Sequence, residues 1–125
     1  MKAGLLFAVL VSTTLLHAEC GINKPIRILV QKSYHREKVV VPNSGCKTSE
    51  GPCAAAGTIF VVATKKVKYT ILLPDGTPGN LEVGEHYSAI ISCNKNPMMV
   101  VQSEHGQDAL GAFYVLEQEA SPQTK

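Results

Sequence analysis

The 125 residues carry 12 Lys+Arg against 10 Asp+Glu, a formal net charge of +2, and this near-balance argues against the strong basic excess of nucleic-acid binders. Tryptophan is absent and aromatics make up 6%, which leaves few platforms for stacking bases or sugars. The length suits one domain rather than two.

Met1 and Lys2 provide a short positive start, residues 3–16 (AGLLFAVLVSTTLL) are uncharged, and His17-Ala18 precede Glu19. That layout predicts a secretory signal peptide over residues 1–18, with Ala18 the last residue removed. Fourteen apolar residues fall short of the roughly 20 needed to span a hydrocarbon core, so no integral membrane segment is expected after cleavage. A lipid anchor on Cys20 would need a small residue before it, and Glu19 stands there. Cleavage would leave 107 residues containing all four cysteines, Cys20, Cys46, Cys53 and Cys93. An even count in a small exported chain predicts disulfides, although four cysteines allow three pairings. The favoured set is Cys46–Cys53, closing the short loop KTSEGP, and Cys20–Cys93, tying the N-terminus to the β region. A zinc site is disfavoured because no Cys-x-x-Cys pair occurs.

Along the remaining chain, Ile26 to Gln31 alternates partly, and Lys38 to Val41 adds a second β-branched run before the turn formers Pro42-Asn43-Ser44-Gly45. Residues 42–57 read as an irregular loop, in which Ala54-Ala55-Ala56 could start a helical turn. Thr58 to Thr64 and Val67 to Leu73 are dense in β-branched and aromatic residues, and Lys65-Lys66 between them predicts a two-residue hairpin. Neither lysine favours the positive φ of the commonest such turns. Val67, Tyr69, Ile71 and Leu73 share one face by the period-two rule, with Lys68 and Thr70 opposite. After Pro74-Asp75-Gly76 and Pro78-Gly79-Asn80, further strands are expected at His86 to Ser92, Met98 to Gln102 and Phe113 to Glu117. Residues 119–125 read as a disordered polar tail, leaving one β-rich domain over residues 19–118.

Six or seven short strands without helical periodicity predict an all-β fold, a small barrel or sandwich, disulfide-stapled. Runs such as Ile59-Phe60-Val61-Val62 put apolar residues on both faces, as in a barrel whose outside is partly covered or an interface. The stretch GTIFVVATKKVKYTILLPDG, followed by LEVGEHYSAII, MMVV and FYVLEQE, resembles small barrels of the oligonucleotide-binding or SH3-like kind over roughly half the chain. A cysteine soon after the signal and followed by strands also resembles small secreted effectors of plant-pathogenic fungi. Both likenesses rest on layout and assign no functional residue, because such barrels host many unrelated functions.

Candidate chemistry is sparse. His35, His86 and His105 could ligate a metal, the last two each following a glutamate (Glu85, Glu104), but solvated histidines suit the same positions and no metal is expected. The cysteines are more plausibly consumed as disulfides than used as nucleophiles. No Gly-x-Ser-x-Gly elbow, phosphate-cradling loop or paired carboxylates occur, so neither enzymatic activity nor a cofactor is expected. Lys65, Lys66 and Lys68 form a candidate anion-contact tip, against the commoner role of lysines in discouraging edge pairing. Met98-Met99 could form an adaptable surface, although alternation sends one of them to the core. The expected function is a secreted or periplasmic binding module for a protein partner. The alternatives are an assembly domain of the cell envelope that adds an edge strand to its partner and, less favoured, a small enzyme or metal-binding protein.

Overall fold

The computed structural model describes residues 20–21, 24–41, 47–48, 51–93, 97–105 and 108–120. The expected signal peptide, Cys46 and residues 121–125 lie outside these. Eight strands are formed: β1 (Ile26–Val40), β2 (Lys47–Thr48), β3 (Gly51–Pro52), β4 (Ala54–Ala63), β5 (Val67–Pro74), β6 (His86–Ile91), β7 (Met98–Gln102) and β8 (Ala109–Ala120). Six of them close an antiparallel barrel in the order β1-β4-β5-β8-β7-β6, and β2 pairs with β3 in a separate ribbon. Of barrel and sandwich, the barrel is the fold. Because β8 lies between β5 and β7, the β5–β6 connection must cross the barrel end, a Greek-key arrangement.

Alternation sorts the side chains. Val67, Tyr69, Ile71 and Leu73 of β5 point into the barrel with Ile28, Val30, Phe60, Val62, Ile91, Met99, Val101, Phe113 and Val115. Phe60 and Phe113 meet edge to face at 5.7 Å between centroids, a favoured geometry for the ring quadrupoles. Leu81, from the crossing connection, plugs this core. Its loop is seated by the Glu82 N–H donating to the Tyr87 hydroxyl at 2.9 Å. No buried side-chain polar atom among the described residues lacks a hydrogen-bond partner, so the core carries no unmet desolvation cost.

A second, smaller apolar cluster lies outside the barrel. Ile59 and Leu72 alternate outward and are covered by Val41, with Val39, Ala55, Tyr114 and Leu116 around them. The apolar residues on both faces of β4 are therefore explained by a partly covered barrel. Gly57 makes this approach possible: a Cβ there would stand 2.6 Å from the Leu73 carbonyl oxygen and 2.8 Å from Leu72 Cδ1.

Several boundaries differ from the sequence reading. Residues 26–31 and 38–40 are not separate strands but parts of one 15-residue strand, β1, which ends before Val41. Its polar middle is held extended by pairing with the β-forming stretch of β4, Lys32 to Arg36 lying opposite Val61 to Gly57, a case of tertiary pairing overriding weak local propensity. The expected loop over 42–57 contains β2, β3 and the start of β4. Ala54-Ala55-Ala56 is strand rather than helical turn, because Ala54 and Ala55 pair with Val40 and Val39. At the other end β8 continues to Ala120, two residues beyond the expected limit of the domain, because Glu119 and Ala120 pair with Lys68 and Val67.

The Cys20–Cys93 disulfide joins the N-terminal segment to the residues following β6, with the Cα atoms 5.1 Å apart. The Gly21 N–H donates to the Ile91 carbonyl at 2.7 Å, so the bridge seats the segment against the barrel. Cys53 is also disulfide-bonded. Disulfides of this kind fit an oxidising compartment. No helix among the described residues is long and apolar enough to cross a membrane.

Candidate functional site: an open strand edge and two grooves

β1 is longer than the barrel requires. Residues 26–29 pair with β6, and the Val30 N–H then donates to Glu85 O while Val30 O accepts from the Gly84 N–H. Beyond Val30, no strand among the described residues pairs with that side of β1, while its other side pairs with β4 as far as Val40. Residues 31–38 are exposed without a break. The result is an arm ten residues long with one ladder made and one edge open.

The open edge carries Lys32, Arg36 and Lys38 against one acid, Glu37. Lys32 Nζ sits 5.5 Å from the centre of the Tyr34 ring, a cation–π distance that holds both side chains along the arm. His35 reaches across to the β5–β6 turn: its Nε2 lies 3.0 Å from Asp75 Oδ2 and its Nδ1 3.6 Å from Glu37 Oε2. The Asp75 hydrogen bond raises the His35 pKa above its ordinary value, helped by the charges of Asp75 and Glu37 and opposed by desolvation.

Beside the arm runs a groove of about 500 Å³ on the outer barrel face. Tyr34, Arg36, Lys38, Val39 and Val40 of β1 form one wall. Ile59 and Thr70 supply the floor, and Leu116 and Glu117 of β8 the far wall. Val40 is 54% exposed and Tyr34 37%, so both present apolar surface to solvent.

The second groove, of about 460 Å³, lies at the other end of β1. Ile26, Arg27, Leu29 and Gln31 line it from β1, Ala63 and Thr64 from the end of β4, Lys65 and Lys66 from the hairpin tip, and His86 from β6. The tip closes differently from the commonest two-residue turns. Thr64 N–H donates to Val67 O at 2.8 Å, whereas the Val67 and Lys66 N–H groups donate to the Thr64 hydroxyl at 3.0 and 3.1 Å. The hydroxyl takes over the acceptor role and closes the turn that carries both lysines to the groove. Arg27 Nε donates to Glu104 Oε2 at 2.6 Å, and the guanidinium holds the Glu104 carboxyl below its usual range.

Of the lysines singled out in the sequence, Lys65 and Lys66 therefore share a groove, while Lys68 stands on β5 in register with Glu119. The histidines are scattered: His35 is on the arm and His86 in the second groove, while His105 follows β7. Among the described residues no three His, Cys, Asp or Glu side chains cluster as metal ligands. Met99 is fully buried and Met98 half-buried, as alternation requires. The open edge was missed because residues 33–37 (SYHRE) carry little β-branched or alternating apolar signal. No protein-family model, curated protein or solved structure matches this chain.

Proposed function

We propose that this chain is an exported recognition module that binds an acidic, extended segment of a partner protein by adding it as a strand to the open edge of β1. The observation that carries the reading is the ten-residue edge beyond Val30, paired among the described residues on its β4 side only. Unpaired backbone N–H and C=O groups along an edge supply affinity to an incoming strand, and pockets for alternate side chains supply selectivity. The arm's own exposed side chains, Tyr34 and Val40 as apolar contacts and Lys32, Arg36 and Lys38 as cations, suit an added strand that carries apolar and acidic side chains.

Edge cations ordinarily protect a strand from adventitious pairing. Here they also choose the partner. A second copy pairing through the same edge would bring Lys32, Arg36 and Lys38 against their own kind, and like charges across strands are destabilising. An acidic strand meets complementary charge. Export is part of the same proposal; its support is the signal-like layout of residues 1–18 and the Cys20–Cys93 disulfide, which favour a secreted or periplasmic location.

The test is selection from a peptide-display library against the wild-type protein, followed by binding to a Lys32→Glu/Arg36→Glu/Lys38→Glu variant. Selected peptides are expected to be acidic with alternating apolar residues, and the variant to bind them at least tenfold more weakly. Basic or featureless selected peptides, or equal binding to the variant, would contradict the proposal. So would concentration-dependent dimerisation through β1, which belongs to self-assembly.

A further inference from the structure

From the second groove we infer a binding site for a small amphiphilic anion, a carboxylate or phosphate head joined to an aliphatic chain. This site is separate from the open edge and does not depend on its occupant. Three observations carry it. The floor, from Ile26, Leu29 and Ala63, is aliphatic and half-buried. The mouth is cationic, with Lys65 and Lys66 on the turn that the Thr64 hydroxyl closes by accepting from the Lys66 and Val67 N–H groups, and no carboxylate contributes to the lining. Neither lysine ammonium lies within ion-pair distance of a carboxylate among the described residues.

Arg27 is the exception that sharpens the assignment. Its charge is offset by Glu104 at 2.6 Å, which leaves Lys65 and Lys66 as the head-group contacts and the Arg27 stem as a wall. An inorganic anion would use the lysines and leave the aliphatic floor wet, whereas an uncharged chain would use the floor and leave the lysines idle. A joined head and tail uses both. The volume of about 460 Å³ falls in the range of small-ligand sites, about 300–1,000 Å³. Charge-assisted bonds from ammonium to carboxylate supply orientation, and burial of the chain supplies affinity.

Decanoate, decanol, acetate and vesicles of phosphatidylglycerol serve as probes, each titrated into isotope-labelled protein and followed by backbone amide shifts. Decanoate should bind with saturable shifts at Leu29, Ala63, Thr64 and His86, at least tenfold more tightly than either acetate or decanol. Lys65→Gln/Lys66→Gln should weaken decanoate about tenfold with the spectrum otherwise preserved, because both residues lie at an exposed tip. Leu29→Asp, which puts a carboxylate in the floor, should abolish binding. Equal binding of decanol, shifts distributed away from the groove, or no saturation at millimolar decanoate would each overturn the inference. Binding to vesicles without binding of free decanoate would also overturn it, assigning the lysines to a bilayer surface.

Discussion

A Cβ added at Gly57 would stand 2.6 Å from one backbone atom, the Leu73 oxygen, and 2.9 Å from another, the Pro74 Cα. Neither can swing aside as the end of a flexible side chain would, so β4 and β5 must separate to admit it. Gly57→Ala should therefore destabilise the protein by about 1–3 kcal/mol, as overpacking of a core does, measured by urea denaturation. His35 gives a different residue-scale expectation. Its pKa is raised chiefly by the Asp75 hydrogen bond, so the protonated form is favoured in the folded state. The stabilising contribution is complete below the ordinary value of 6.5 and is lost as pH rises through the higher folded value. Asp75→Asn should bring the His35 titration, followed by NMR, back toward that ordinary value and remove the corresponding pH dependence of stability. An unchanged titration would dissociate the shift from Asp75.

At the scale of elements, β1 carries the proposed function and is also where sequence reading failed. β5 was legible because its inward residues alternate strictly, and one face of it is core: Val67, Tyr69, Ile71 and Leu73. β7 was legible for the same reason, Met99 and Val101 facing inward. Residues 31–38 of β1 are exposed throughout, so burial imposes no alternation on them, and their strand state comes from pairing with β4, which a local pattern does not contain. Register irregularities between Val30 and Lys32, and between Arg36 and Val39, further break the period of two. The grooves were illegible for a related reason. Lys65 and Lys66 could be placed on a hairpin tip, but their proximity to Arg27 and His86 depends on strand order. Strand order also explains why Lys68, grouped with them in sequence, faces Glu119 instead.

For the whole molecule, closure is the governing feature. Among the described residues the barrel pairs most strand edges, while β1 extends past its last bonds to the β6 side and the last residues of β8, beyond Val115, are paired on their β5 side alone. The Cys20–Cys93 bridge spans 73 residues of sequence and so restricts the unfolded chain across most of the barrel. Chain-entropy reasoning makes it worth about 4 kcal/mol. The Cys20→Ala/Cys93→Ala variant should show a loss of that order in denaturant unfolding while keeping the arm and its groove, because the bridge lies against β6 rather than β1. A loss of peptide binding from the folded double variant would tie recognition to the N-terminal segment instead. The most direct measurement of the central claim is amide hydrogen exchange along residues 31–40, with and without an acidic display-selected peptide. The predicted result is fast exchange at the edge-facing amides of the isolated monomer, slowed at least tenfold by the peptide and unaffected by it in the Lys32→Glu/Arg36→Glu/Lys38→Glu variant. Edge amides already protected in the isolated monomer, or protection by the peptide confined to another part of the barrel, would contradict it.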